Sequence, residues 1–197
     1  MGNVAPELRE GGAMAMNFEE LDDTTRGYML QEFEAELRSS NPYVSKALSA
    51  KGRQAFPDLM RKAIRFGNEE SLATDLAGPE YWEPIETYER GGVVRERKRN
   101  VRQAAERLAL TEFNTWYVRG FAKRLMDEGV TRCQAYRGAQ PKWEPAECSV
   151  HEEQIFQVEQ IYNAHRTRYW PTDNPNAVSI PFGPGCHHTI RRVPEDP

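Results

Sequence analysis

The sequence predicts an α+β protein with a helical N-terminal half, one long central helix and a small C-terminal mixed α/β unit with a short sheet. Three observations lead to this prediction. Apolar residues recur at the spacing of a helix up to about residue 128, and after residue 130 they alternate with polar residues as in a strand. The third is composition: 28% of the residues are charged and the mean hydropathy is -0.78. Such polarity is typical of solvated or partner-bound helices and less typical of a compact enzyme.

The N-terminal half is predicted as a series of short helices. They cover residues 18–38 with Asn17 as N-cap, residues 43–50, a segment from Pro57 to Gly67, and residues 68–77. The helix ends are predicted from three signals: asparagine before an acidic first turn, proline at a helix start and glycine at a helix end. Residues 79–93 hold prolines, aromatics and glycines without a period, which predicts a loop at a domain junction. Helix 18–38 and the aromatic segment 79–88 are expected to carry surplus apolar surface that docks on a partner.

The central helix is the clearest element. Asn100 is a candidate N-cap and Gly129 a stop, so the helix is predicted from about residue 100 to 128. Its buried face is predicted from the three- and four-residue spacing of Val101, Ala105, Leu108, Phe113, Trp116, Gly120, Phe121 and Leu125.

Three strands are expected after the central helix, within residues 130–138, 154–162 and 188–193. Long turn-rich segments separate them, and three short strands have little apolar surface to hold such segments. The chain is accordingly divided into a flexible leader at 1–16, a helical region at 17–90 and a C-terminal domain at 91–197.

Charge and cysteine content narrow the functional classes. The net charge is -4 and the chain has three cysteines, so neither a global nucleic-acid signature nor a disulfide framework is indicated. The sequence contains neither a signal-peptide pattern nor an apolar run long enough for a membrane span, so it is expected to be intracellular where it is made. A local basic run predicts contact with phosphates or with an acidic partner, and a solvated loop or helix entrance is the alternative. Its candidate contact residues are Arg95, Arg97, Lys98, Arg99 and Arg102.

Two short pairs of cysteine and histidine predict a metal site. Cys148 and His151 are separated by two residues, and Cys186 and His188 by one residue in a turn rich in proline and glycine. Two thiolates and two imidazoles form a closed tetrahedral set suited to structural zinc, which would clip the loop between the pairs. His187 can replace His188 as the fourth ligand. A chance spacing of a buried cysteine and surface histidines is the alternative.

The C-terminal half resembles the domain of phage Mu F-like minor head proteins, over about residues 100–193. The resemblance lies in three blocks, "RLALTEFNTWYVRGFAKRLMDEGV", "AECSVHEEQIFQV" and "IPFGPGCHHTIRRV". The matching residues are Thr111, Glu112, Asn114, Gly129, Val130, Cys148, Phe156, Val158, Pro181, Pro184 and Cys186. His151 and His188 stand where the family has cysteine, Gly183 where it has histidine, and Glu153 where it has glycine.

The resemblance implies a structural protein of the virion, located in the head interior or at the portal vertex and present in the host cytoplasm during assembly. It implies association with the portal protein, with the major capsid protein as a further partner, contact with packaged DNA, and no membrane. An enzyme is the competing class: a zinc-dependent hydrolase or nuclease with an open metal position and Glu152 as base. Four ligands argue against it, because a closed shell leaves no place for water. A DNA-binding regulator is disfavoured because the central helix is too aromatic to be a recognition helix.

Overall fold

The computed structural model describes residues 15–40, 42–140, 151–164, 178–183 and 185–194. Within these ranges the chain forms five α-helices, one two-stranded sheet and one three-stranded sheet. The predicted α+β class with a long central helix and a small sheet is therefore confirmed. No helix of the described part is both long and apolar enough to cross a bilayer.

The central helix, α4, organises the molecule. It runs from Val101 to Asp127, and the side chain of Asn100 accepts the N–H of Gln103 as its N-cap. Gly129 follows with φ of 76°, a left-handed conformation that suits glycine and ends helices. Residues 112–122 are all buried because helices pack on one side of α4 and the sheet with its helix packs on the other. The spacing of apolar residues predicted one buried face of this helix, whereas the structure buries two faces of it.

The N-terminal helices are α1 (Asp23–Leu37), α2 (Ala50–Phe66) and α3 (Glu69–Asp75). The predicted start of the first helix at residue 18 is wrong, since Asp22 is its N-cap. The predicted helix at 43–50 is wrong, because α2 begins only at Ala50, and the helix predicted to start at Pro57 begins earlier and contains this proline. Burial of Phe56 and Met60 on its inner face offsets the roughly 3 kcal/mol that an interior proline costs a helix.

The apolar surface expected to dock on a partner is largely covered by the chain itself. Met29 and Phe33 of α1 and Trp82 in the aromatic segment belong to the buried core. Ile85 of the same segment is 48% exposed, so the surplus apolar surface is smaller than expected, and docking of these elements on a partner stays a prediction. The predicted leader also ends too late, because Met16 is buried and its N–H donates to Glu69 over 2.6 Å.

The predicted loop at 79–93 is partly a β-hairpin. Strand β1 (Ile85–Arg90) pairs antiparallel with β2 (Val93–Lys98) through Gly91 and Gly92, whose φ angles are both positive. A two-residue glycine turn with positive φ matches the twist of a hairpin. The basic run is therefore mostly a strand, and only its last part, from Arg99 to Arg102, is a helix entrance. A domain division between residues 90 and 91 would fall in this turn; the division itself stays a prediction.

The three-stranded sheet has the order β4-β3-β5 and is antiparallel throughout. Strand β3 (Arg132–Arg137) and strand β5 (His188–Arg192) lie where the alternation predicted them. The strand predicted over 154–162 is wrong beyond its start, because β4 (Ile155–Gln157) passes directly into helix α5 (Val158–Ala164). Val158, Ile161 and Ala164 are buried, at the spacing that covers one helical face.

Candidate metal centre

Two of the predicted ligand segments flank the same end of β3. On one side His188 opens β5 opposite Arg137, the last residue of β3. On the other side the segment after His151 pairs with Ala135, which accepts the N–H of Glu153 over 2.8 Å. The topology of the sheet thus gathers the segments that carry His151 and His188 around one strand end.

Cys186 and His188 form a close buried pair. The Cys186 Sγ lies 3.6 Å from the His188 Nδ1 and accepts the backbone N–H of His188 over 3.4 Å. Their residues are 4% and 1% exposed. A tetrahedral zinc ion with bonds of about 2.3 Å to sulfur and about 2.0 Å to nitrogen holds those atoms roughly 3.6 Å apart. The spacing of this pair fits two ligands of one zinc ion, and the imidazole beside the thiol is that of His188.

A carboxylate lies on the far side of the His188 ring. The Glu152 Oε2 is 3.9 Å from the His188 Nε2. Arg137 orients this carboxylate with hydrogen bonds of 3.2 and 3.1 Å from Nε and 2.7 Å from Nη2. A metal-binding histidine commonly directs its second ring nitrogen toward a carboxylate, which fixes the ring and raises its basicity. Glu152 lies on that side of the ring, at a distance longer than a hydrogen bond.

The same ion pair affects the acid–base chemistry of Glu152. The hydrogen bonds from Arg137 hold the pKa of this carboxyl below its ordinary value. A general base that works near neutral pH needs a pKa close to that pH. Glu152 in this geometry is therefore suited to orienting His188 and poorly suited to abstracting a proton.

Asn114 connects the site to the central helix. Its Nδ2 donates to the backbone carbonyl of His188 over 2.7 Å, and the residue is fully buried. This contact spans 74 positions of sequence. The sequence signal for this contact was an asparagine on the buried aromatic face of the predicted helix, because a buried side-chain amide requires a hydrogen-bond partner. The sequence does not say which partner.

His151 is connected to this pair through the ring of Phe182. Its ring stacks on Phe182 at 4.4 Å between centroids, and the edge of Phe182 meets His188 at 5.8 Å. The His151 Nδ1 lies 3.3 Å from the Oε1 of Gln154. In the described part of the chain no three His, Cys, Asp or Glu side chains gather as a metal-binding group. Cys148, the fourth predicted ligand, lies outside the described residues.

Cys133 and His187 lie in surroundings that differ from those of this pair. Cys133 is fully buried in β3, and burial raises the pKa of its thiol to about 12, so it is an inert core residue. His187 has an Nδ1 that is buried without a hydrogen-bond partner in the described part of the structure. Desolvation lowers the pKa of His187.

The five candidate contact residues of the basic run differ in their partners in the structure. Arg97 pairs with Glu86 across the hairpin at 2.6 Å, and Arg102 pairs with Glu106 along α4 at 2.9 Å. Arg99 donates to the carbonyl of Glu83 over 2.7 Å and so anchors the base of the hairpin. The side chains of Arg95 and Lys98 have neither a hydrogen-bond nor an ion-pair partner within the described residues.

The fold and this site define a mixed α+β protein with a Cys/His pair at one end of a small sheet. Comparisons with models of protein families, with curated proteins and with solved structures found no match.

Proposed function

We propose that this chain is a structural, portal-associated minor head protein of a virus, similar to the phage Mu F-like proteins. The hydrogen bond from Asn114 to His188 carries the proposal. Asn114 belongs to the helical block of the resemblance and His188 to the last block, yet the two residues meet in the buried interior. Asn114 is shared with the family, whereas His188 stands where the family has cysteine and contributes its backbone carbonyl to this contact. Two matched blocks that meet across 74 positions support the resemblance more strongly than separate matches do.

The environment of Glu152 favours the structural role over the zinc-dependent hydrolase or nuclease. The hydrolase needs Glu152 as a base, but Arg137 engages both oxygens of its carboxylate and lowers its pKa. The proposal therefore assigns no catalytic residue. It places the protein in the head interior or at the portal vertex of the virion, and in the host cytoplasm during assembly.

Zinc is proposed as a structural cofactor of this protein. The ion would be held by Cys148, His151, Cys186 and His188, and it would cross-link the two sides of the small sheet. The spacing of Cys186 Sγ and His188 Nδ1 and the carboxylate behind the ring support this assignment. Bound zinc would add stability that is lost on chelation, because thiolate ligands bind the ion mainly in the folded state.

Elemental analysis of protein purified without added metal tests the zinc site. We expect about one zinc per chain, and we expect Cys186→Ser to lose it. Cys133→Ser is the matched control, because Cys133 is also a buried cysteine but lies in strand β3, away from the predicted ligand set. A chelator should raise amide exchange in β3 and β5 while the middle of α4 stays protected. Zinc content near zero, or equal loss in both variants, contradicts the assignment.

Co-sedimentation tests the role in the virus head. The full chain should sediment with rings of the portal protein encoded in the same genome, and less strongly with assemblies of the major capsid protein. A portal or terminase gene next to the gene for this chain would support the same conclusion. A chain that stays monomeric and fails to sediment with portal rings would remove the main support for the proposal.

A further inference from the structure

The β1–β2 hairpin projects from the body of the molecule. Within the described residues its strands pair with each other and make no more than marginal contact with any helix or with the second sheet. Every residue of β2 is exposed, and Val94 reaches 70% exposure. An isolated two-stranded hairpin is marginally stable in water, so an exposed one suggests a binding arm.

The strand register sorts the side chains of the hairpin onto two faces, because neighbouring residues of a strand point to opposite sides. One face, called here the arginine face, carries the directly paired Glu86 and Arg97, Tyr88 and Arg95, and Arg90 and Val93. The opposite face carries Ile85 and Lys98, Thr87 and Glu96, and Glu89 and Val94.

Charge is distributed unequally between these faces. The arginine face has three arginines against one glutamate, a formal charge of +2, whereas the opposite face has one lysine against two glutamates, a formal charge of -1. The Arg97 guanidinium lies 5.0 Å from the centre of the Tyr88 ring and is paired with Glu86. Arg90 and Arg95 have no polar side-chain partner in the described residues and are available to a ligand.

Protection against edge pairing does not account for this distribution. Charged residues on exposed strands do discourage association between sheets. That role depends on charges along the open edges and does not require cations to be concentrated on one face. A single basic face on a projecting ribbon fits a polyanion that approaches from that side.

We propose that the arginine face binds the phosphate backbone of double-stranded DNA without reading its sequence. The inference rests on the proposed head function, because packaged DNA is the polyanion inside a virus head. Duplex DNA is favoured over a single strand because a two-stranded ribbon fits the major groove. Single-strand binding uses several exposed aromatic rings for stacking, and this face has only Tyr88, which Arg97 partly covers.

Two charge reversals on β2 form a matched pair of variants. Arg95→Glu changes the arginine face and Lys98→Glu changes the opposite face, with the same change in net charge at positions three residues apart. Both side chains are exposed and lie in an arm that makes no more than marginal contact with the rest of the described chain, so neither variant should alter the thermal unfolding of the body. Binding is measured with the full chain by fluorescence anisotropy of a labelled duplex of random sequence.

The wild-type chain should lose affinity for the duplex by about 10- to 40-fold between about 50 and about 200 mM salt, as expected when two or three phosphates are neutralised. Arg95→Glu should weaken binding several-fold and reduce the slope of the logarithm of affinity against the logarithm of salt concentration by about 1, and Lys98→Glu should stay close to the wild type. Equal effects of the two variants, or binding that does not depend on salt, would overturn the inference.

Two further measurements separate the alternatives. Polyglutamate that competes as well as an equal charge of duplex DNA would assign the arginine face to an acidic protein and overturn the DNA assignment. Co-sedimentation of the two variants with portal rings tests the head function independently. If the chain binds portal rings while Arg95→Glu and Lys98→Glu have equal effects on DNA binding, this inference fails and the proposed function stands. If the chain does not bind portal rings while only Arg95→Glu weakens DNA binding, the proposed function is rejected and the DNA-binding surface is retained.

Discussion

Glu69 is a buried carboxyl at the first turn of α3. It is 6% exposed, and its Oε1 accepts the N–H of Met16 over 2.6 Å. Its Oε2 is buried with no hydrogen-bond partner within the described residues. Desolvation raises the pKa of Glu69, and the neighbouring Glu70 adds to the increase, while the hydrogen bond from Met16 opposes it. Burial thus outweighs the favourable position of an acid at a helix N-terminus.

The pH dependence of stability follows from this shift. Below the ordinary pKa of 4.5, Glu69 is protonated in both the folded and the unfolded chain and adds no pH dependence. As the pH rises from there through the raised folded pKa, the unfolded chain releases its proton first, so this residue lowers the free energy of unfolding. We expect Glu69→Gln to be more stable than the wild type at pH 7, with the difference shrinking toward acidic pH.

Thermal unfolding at several pH values measures this effect of Glu69. Glu89→Gln is the control, since Glu89 is exposed on β1 and makes no contribution to the pKa shift of Glu69. A difference between Glu69→Gln and the wild type that is constant from acidic to neutral pH would contradict the linkage argument.

At the scale of secondary-structure elements, the close crossing of α1 and α4 depends on one glycine. A Cβ added to Gly120 of α4 would lie 2.5 Å from the backbone N and 2.7 Å from the Cα of Met29 in α1. Backbone atoms in a helix cannot move aside as the end of a flexible side chain can. The two helices can approach this closely only because residue 120 has no side chain.

Replacing Gly120 with alanine should therefore destabilise the chain. Overpacking of this kind costs about 1–3 kcal/mol, and backbone contact places Gly120→Ala at the upper end. Gly27→Ala is the matched control: Gly27 lies inside α1, and a methyl group there would meet no atom within 4 Å, so helix propensity should stabilise that variant by up to about 1 kcal/mol. Urea unfolding measures both, and a shift of the two variants in the same direction would rule out the crossing argument.

At the scale of the whole molecule, a buried ion pair joins three helices. Arg119 of α4 donates to Glu32 of α1, and the hydroxyl of Tyr162 in α5 donates to the same carboxylate over 3.2 Å. The Arg119 guanidinium also lies 4.7 Å from the centre of the Tyr162 ring. The N-terminal helices and the helix that follows β4 are thus connected through one polar cluster on α4.

Breaking this ion pair from one side should be strongly destabilising. The side chains of Arg119 and Glu32 are each 10% exposed, so Arg119→Met would leave a buried carboxylate without its cation, at a cost of about 3 kcal/mol. The double variant with Glu32→Gln removes both charges and should cost less than the sum of the two single variants.

Chemical denaturation of the four proteins in this cycle gives the coupling energy between Arg119 and Glu32. Lys123→Met is the control on the same helix, because Lys123 pairs with Asp127 near the surface and such pairs contribute at most about 1 kcal/mol. Strict additivity between Arg119→Met and Glu32→Gln would mean that the two residues do not act as a pair.

Local signals predicted the elements whose determinants lie close together in the chain. Asn100 and Gly129 delimit α4, and alternation located β3 and β5, because caps and apolar periods act through neighbouring residues. The proximity of Cys186 and His188 was also predictable, since one intervening residue in a turn holds them together. The hairpin was missed although Gly91-Gly92 was a readable turn signal.

Contacts between distant segments set the remaining features. Packing on the core keeps Pro57 inside α2 and turns the chain from β4 into α5 at Val158, against the local preference in each case. The partners of His188 depend on the same packing, because Asn114 and Arg137 reach its surroundings from other elements. Periodicity and spacing report on neighbours along the chain, whereas a buried polar group is satisfied by whichever residue the fold brings to it. The close pair of Cys186 and His188 beside β3 was therefore predictable from the sequence, whereas the residues that hold the pair in place were revealed only by the packing of the helices and the sheet.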